Sequence, residues 1–376
     1  MSNAEVAFRL LRWCVDRTQA PGPDPTESLA NDSVRSFLRS RNIDSIAILA
    51  SEDIDARQAA YDAVWQCQLE ALHQALQALV SAGVRTLTFK GGELLSRHFP
   101  GHSIGLVGDA DVLVPREKIE TVKSILYSLG FRHSFFDTAH GVMKDRDLRD
   151  VADIELRHYE LAPFVKTVEL TDPGVVQVAK TYNADPLRFV SGRALVVIEI
   201  DVHHNVALDA DPSMLFDRAV PSSLGVGETL SPADHVWLNL SRYYNEVAIH
   251  DGRSLRPFAY TIPEVAAGNV DWGVVEQVAH DLALGPTLSY FLRFCDQLAP
   301  GCIPASTLQS VHESADNRVR DWGWQLAKLF DFHERFPSYA FELLEPESIA
   351  RRLNISSGYA SDLGGWPRGR ESLPGR

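Results

Sequence analysis

The sequence predicts an α+β protein: a mixed β-sheet backed by helices, preceded by helices and followed by a helical unit. Three observations carry this. Two short strand–helix pairs follow one long amphipathic helix between residues 55 and 130. The run 194–203, apolar at first and then alternating acidic with β-branched residues from Ile198, reads as a strong strand. From Ser231 the pattern is helical to about residue 345.

The elements follow in order. Residues 5–18 form a short helix, ended by the loop Ala20-Pro21-Gly22-Pro23-Asp24-Pro25. A helix spans 55–82, where Trp65, Leu69, Leu72, Leu76 and Leu79 step by four and three and make one apolar stripe. Gly83 stands where a helix C-terminus needs it. Residues 84–89 alternate as a strand, Lys90-Gly91-Gly92 ends it, and a helix begins at Glu93. A second strand covers 111–114 and stops at Pro115. Ile119, Val122, Ile125, Leu126 and Leu129 then mark a helix over 116–129, closed by Gly130. Residues 151–159 and 164–170 read as strands within an insertion at 132–193. The expected units are an N-terminal helical segment (1–82), a core (83–225), a helical domain (226–350) and a mobile tail (351–376).

Composition narrows the function. Hydrophobic residues make up 45% and charged residues 23% of 376, so an ordinary core forms without staples. A net charge of -14 opposes the basic surface that polymeric nucleic acid requires, and a single nucleotide in a local basic pocket is the better fit. Cys14, Cys67, Cys295 and Cys302 match no zinc spacing. No apolar run spans a bilayer, and the N-terminus lacks the regions of a signal peptide. These features predict a cytoplasmic protein without a membrane partner.

The candidate chemistry lies in Gly108-Asp109-Ala110-Asp111-Val112-Leu113-Val114. On a strand, Asp109 and Asp111 share a face, and carboxylates so close repel unless a cation joins them. Mg²⁺ takes oxygen ligands and keeps room for phosphate oxygens. Asp-x-Asp alone is weak, because Asp53/Asp55, Asp145/Asp147 and Asp209/Asp211 have the same spacing and Asp favours turns. Context separates the pair: Gly108 before it, an apolar strand after it, and Lys90-Gly91-Gly92 upstream. The strand Glu199-Ile200-Asp201-Val202-His203 puts Glu199, Asp201 and His203 on one face. That polar face needs water, a partner or a metal, and an edge strand with one solvated face is the competing reading. Metal-dependent hydrolysis at His203 and His204 is a further rival, though no zinc spacing surrounds them. Gly91 and Gly92 would let backbone N–H groups approach a phosphate, with Lys90 adding charge.

The ordered set resembles the uncharacterised nucleotidyltransferase family of the DNA-polymerase-β-like superfamily. The matching features are Lys90-Gly91, Phe99-Pro100, Gly108-Asp109-Ala110-Asp111, Leu129-Gly130-Phe131 and Asp201-Val202-His203. In the helical half they are Ser231-Pro232-Ala233-Asp234-His235 and Val270-Asp271-Trp272-Gly273. The resemblance runs from about residue 60 to about 305. It implies a nucleotidyltransferase-fold sheet and transfer of an NMP group from an NTP, with loss of pyrophosphate, to a small-molecule or peptide acceptor. Asp109, Asp111 and Asp201 would be catalytic and would hold Mg²⁺ or Mn²⁺. Lys90, Gly91, Gly92, Gly108 and His203 would face the nucleotide. Two departures stand out: Gly105 replaces a usual arginine, and Gly92 replaces a serine. Lys90 or Arg97 would then compensate, and Arg157, His158 and Lys166 would shape the acceptor pocket. Glu199 and Glu155 are the reserve carboxylates should Asp201 lie elsewhere. A non-catalytic nucleotide-binding or interaction protein on the same fold is the alternative.

Overall fold

The computed structural model describes residues 3–17, 31–51, 54–138, 140–206, 211–249 and 254–315. The loop at 20–25, the helical continuation beyond 315 and the tail at 351–376 lie outside the described residues. Helices α1 (Asn3–Val15), α2 (Asp32–Ser40) and α3 (Asp44–Ser51) lead to the long α4 (Ala56–Ser81). The Asp55 side chain caps α4 by accepting from the Gln58 N–H, and Gly83 beyond its end takes a φ of 72°.

Strand β1 (Leu87–Phe89) runs directly into α5 (Lys90–His98). The strand is shorter than the sequence predicts and the helix starts three residues sooner. Strand β2 (Asp109–Leu113) precedes a short 3₁₀ turn and α6 (Ile119–Ser128). A hairpin of β3 (Arg132–Asp137) and β4 (Val142–Asp145) follows. Residues 148–157 then form α7 (Leu148–Arg157), not the expected strand. The Asp147 side chain caps its first turn, and only Val151 and Ile154, three apart, are buried, which is a helical and not a strand period. Next come β5 (Phe164–Leu170), α8 (Pro173–Tyr182), β6 (Leu187–Val190) and the long β7 (Arg193–His203). Short α9 (Ser213–Asp217), β8 (Val220–Pro221) and β9 (Glu228–Thr229) precede the helices α10 (Pro232–Ile249), α11 (Arg256–Ala266), α12 (Trp272–Asp281), α13 (Gly285–Leu298) and α14 (Ala305–Ser314).

The nine strands make one mixed sheet in the order β4-β3-β5-β7-β2-β1-β9-β8, with β6 also paired to β7. This is the α+β arrangement the sequence predicts. The supposed insertion is partly central, since β5 pairs with β7 over its whole length. One sheet face carries Ala110, Val112, Ile198, Ile200 and Val202 against α4, α6 and α8. The other carries Leu87, Phe89 and Leu113 into a second core built with the N-terminal helices and α10–α14. Among the described residues, no helix is long and apolar enough to cross a membrane.

Buried His235 joins sheet and helices. The Thr229 hydroxyl gives its proton to the Thr88 carbonyl at 2.6 Å, so His235 Nε2–H donates to it at 3.0 Å. His235 Nδ1 is buried without a hydrogen-bond partner among the described residues. Protonation there would create an unsatisfied buried N–H, and burial, assisted by the Arg97 charge, pushes the imidazole down to about 4. Between 6.5 and about 4 the unfolded chain binds a proton that the folded chain refuses, so stability falls as pH drops through that window. His235 should account for about 2 kcal/mol of the loss between pH 7 and pH 5. Urea midpoints at the two pH values should show a shallower dependence for His235→Asn; an unchanged dependence would remove His235 as the cause.

Candidate active site

The register of the sheet builds the site. Strand β2 pairs parallel to β7, setting Asp109 beside Glu199, Asp111 beside Asp201 and Leu113 beside His203. Antiparallel β1 puts Phe89 beside Asp111. Because partners across a ladder share a face, Asp109, Asp111, Glu199, Asp201 and His203 form one polar window in an otherwise apolar surface. Carboxylate oxygens of Asp109, Asp111 and Asp201 all lie within 4.8 Å of one another. Asp201 thus lies beside the pair on the neighbouring strand. Glu155 instead accepts from Lys123 Nζ at 2.6 Å, beside His133.

The charges around this window are unequal. Asp111 is 4% exposed, and burial opposes its ionisation. The Lys90 ammonium and the His203 ring together outweigh that and hold its carboxyl well below the usual carboxylate range. Lys90 Nζ forms an ion pair with Asp111 Oδ1, and His203 Nε2 donates to the same oxygen at 2.9 Å. His203 is fully buried, edge-on to Phe89 and stacked near Tyr159, with Nδ1 3.5 Å from Glu160. Arg242 donates to the Tyr159 hydroxyl at 2.7 Å. His203 is thus held beneath Asp111 as a strut. Asp201 differs. Burial, followed by the charges of Asp109, Glu199, Asp111 and Glu160, pushes its carboxyl well above the ordinary value. Its Oδ1 is buried with no hydrogen-bond partner among the described residues. An orphaned carboxylate oxygen facing two other carboxylates is a donor set that fits a divalent cation.

The glycine turn departs from expectation. The left-handed residue is Lys90, with φ 55°, and not a glycine. A β-carbon on Gly91 or Gly92 would meet its nearest neighbour only at 4.0 Å, which is ordinary contact. Both glycines lie in the first turn of α5, whose opening N–H groups lack intrahelical acceptors. Gly108 likewise has open space around it.

Other expected contacts are absent from the window. Arg97 bridges two buried glutamates, donating to Glu93 Oε1 at 3.0 Å and Glu264 Oε1 at 2.6 Å, so it is a tie between α5 and α11. Lys166 pairs across from Ile198, on the sheet face opposite the carboxylates, with its ammonium 4.4 Å from the Phe131 ring centroid. Arg157 is exposed and pairs with Asp153 one turn back. His158 is half-buried just beyond α7, and His204 sits beside its backbone; burial pushes the His204 ring down. One described member of each rival Asp-x-Asp pair caps a turn: Asp55 accepts from Gln58 N–H, Asp147 from Arg149 N–H and Asp211 from Ser213 N–H.

The residues missed by the sequence reading hold the approach to β2. Gln58 and Gln68 of α4 donate to the carbonyls of Ser103 and Val107, each at 2.8 Å. Asp62 accepts from Ser103 N–H, and Ser45 Oγ accepts from Gly105 N–H at 2.9 Å. Arg256 donates to the Leu106 carbonyl at 2.5 Å. A β-carbon on Gly105 would stand 4.0 Å from Arg256 NH1, so a guanidinium from α11 reaches the place where the sequence lacks its usual arginine. One turn along α11, the buried Tyr260 ring lies 4.0 Å from where Gly91 would carry a side chain. Burial pushes the Tyr260 phenol above its usual value; Arg256 opposes this, while Asp111 and Asp109 add to it. Two buried glutamines in the apolar stripe of α4 were the available signal, whereas nothing in the sequence joined Arg256 to Gly105.

A mixed sheet presenting paired Asp residues from one strand and a third from its parallel neighbour, backed by helices, has the form of a nucleotidyltransferase fold. The model of the uncharacterised nucleotidyltransferase family matches residues 40–300, well over half of the chain, and the protein belongs to that family. No curated protein and no solved structure matches the chain.

Proposed function

We propose that the protein is a metal-dependent nucleotidyltransferase that moves an NMP group from an NTP to a small-molecule or peptide acceptor. The observation that carries this reading is the convergence of Asp109, Asp111 and Asp201 within 4.8 Å on a chain of a nucleotidyltransferase family. In this reading the three carboxylates hold Mg²⁺, for which Mn²⁺ can substitute. The bound ion would stabilise charge on the entering and leaving oxygens of the displacement.

The chain's own residues would perform the remaining work. Asp201, whose proton affinity is raised by burial and then by its acidic neighbours, would receive the proton of the acceptor. The acceptor atom forms a bond to the α-phosphorus while the bond to the β-phosphate bridge breaks, and pyrophosphate leaves with the electron pair. His203 and Lys90 hold Asp111 in orientation, and the N–H groups of Gly91 and Gly92 at the start of α5 would face the phosphates. Gly108 keeps the approach to Asp109 unobstructed. The charge of -14 favours an acceptor other than polymeric nucleic acid. Four unbridged cysteines support placing the protein in the cytoplasm. A core from about 83 to 225, between helical units, is part of the same proposal.

One observation favours the non-catalytic alternative: the Lys90 ammonium already neutralises Asp111. The two readings separate in one assay. Each NTP is incubated with Mg²⁺ and a panel of candidate acceptors, and pyrophosphate release is followed for the wild type and Asp109→Ala. Release that disappears with Asp109→Ala supports transfer. Metal-dependent nucleotide binding without release across the panel would sink it in favour of the binding protein.

A further inference from the structure

We propose that Arg256 is the residue that receives the phosphate tail of the nucleotide, taking the charge of the departing pyrophosphate from the α11 side of the window. The inference rests on the carboxylate window being the nucleotide site.

A triphosphate brings more negative charge than one divalent ion cancels, and the site adds three carboxylates of its own. Positive side chains must therefore be close by and must not be neutralised already. The nearby cations can be sorted by that criterion. Lys90 is spent on Asp111, and Arg97 on Glu93 and Glu264. Arg242 is committed to the Tyr159 hydroxyl above His203. Arg256, like Arg242, donates to a neutral group, and no carboxylate among the described residues pairs with it; unlike Arg242, it stands on the approach to Asp109 itself, at the Leu106 carbonyl. A half-buried guanidinium bonded only to a carbonyl keeps its full charge and several N–H donors for another acceptor.

Its location suits the task. The carbonyl it binds belongs to Leu106, three residues before Asp109, so their Cα atoms stand at most about 11 Å apart. Tyr260, one turn further along α11, borders Gly91 at the start of α5. Arg256 and the first turn of α5 thus approach the segment that carries Asp109 and Asp111 from two elements. The planar guanidinium can bind two phosphate oxygens at once, which an ammonium cannot do. The Leu106 bond orients it before any ligand arrives.

Inorganic tripolyphosphate with Mg²⁺ probes the tail without assuming a base. Binding would be measured by calorimetry for the wild type, Arg256→Gln, Arg256→Lys and Asp109→Ala, with Mn²⁺ binding by electron paramagnetic resonance as a second readout. We expect Arg256→Gln to weaken tripolyphosphate by about tenfold or more while Mn²⁺ binding stays at the wild-type level. Arg256→Lys should fall between the two. If Arg256→Gln binds tripolyphosphate as the wild type does while Asp109→Ala fails to, Arg256 is not the phosphate residue and the nucleotide reading stands. Loss of Mn²⁺ binding in both Arg256 variants would make it a purely structural tie and overturn the inference. Tripolyphosphate binding that ignores both Mg²⁺ and Asp109→Ala would overturn the nucleotide reading itself.

Discussion

Replacing Asp201 with asparagine is expected to stabilise the metal-free protein while cutting the proposed nucleotidyl transfer. The two effects share one cause. Asp201 is crowded by Asp109, Glu199, Asp111 and Glu160, and its buried Oδ1 has no hydrogen-bond partner among the described residues. In the metal-free protein the carboxylate is therefore a liability, and the amide removes the repulsion at nearly constant volume. A gain of about 1 kcal/mol, or about 1–2 °C in melting temperature, is the expected scale at neutral pH. Adding Mg²⁺ should reverse the ranking. The wild type should gain about 3 kcal/mol at a hundredfold excess over its dissociation constant, and the variant much less. Nucleotidyl transfer should drop by about a thousandfold, equivalent to about 4 kcal/mol of barrier. Thermal melts with and without Mg²⁺, alongside a pyrophosphate assay, check both halves. A variant that melts lower than the wild type without metal would show that Asp201 is a structural residue.

The second large effect concerns folding. Arg97→Met should cost about 3–5 kcal/mol, because it leaves Glu93 and Glu264 buried without their shared cation. Glu93 is fully buried and Glu264 is 1% exposed. Burial works against the charge of each. Glu93 is rescued by Ser222, the Ser223 N–H and Arg97, and Glu264 by His98 and Arg97, so both carboxyls end below their ordinary value. Stability from these groups is present above the unfolded value of 4.5 and is lost as pH falls through the lowered folded values. Guanidinium unfolding at pH 7 measures the loss directly. Adding Glu93→Gln and Glu264→Gln to Arg97→Met should recover part of it, since the stranded charges are then gone. A loss below about 1 kcal/mol for the single change would mean that water reaches both glutamates.

The two networks differ in how far the sequence exposed them. The carboxylate window was legible because strand periodicity is strict: residues two apart share a face, whatever the pairing partner. That rule grouped Asp109 with Asp111, and Asp201 with His203. The family pattern then joined the two strands, and the parallel register of β2 and β7 set them side by side. The central strands and the long helices were legible from their own periods, whereas α7 was read as a strand and α2, α3, β3, β4, α8 and β6 were not assigned. In α7, Ile154 and Leu156 fit a strand period and Val151 and Ile154 a helical one, and only the fold shows that Val151 and Ile154 are buried while Leu156 is exposed. The role of Arg97 was not legible, because its partner Glu264 lies on α11, and no local rule links it to α5. Lys166 was misread because a strand residue's face says nothing about which face holds the site. Its position opposite Ile198 assigns it to the side packed on α4.

The short stretch from His102 to Val107 illustrates what makes the strand that carries Asp109 and Asp111 separable or inseparable from its neighbours. It is pinned by Ser45, Gln58, Asp62 and Gln68 from the N-terminal helices and by Arg256 from beyond the sheet. Chain segments some 150 residues apart thus converge on the peptide that delivers Asp109 and Asp111. Dissecting the chain where helices give way to strands would sever these anchors and set the two aspartates adrift. The smallest piece able to keep its geometry must run from the start of α3 to at least the end of α11. Gene fusions or truncations within that span should therefore be tolerated only where they spare every one of those attachments.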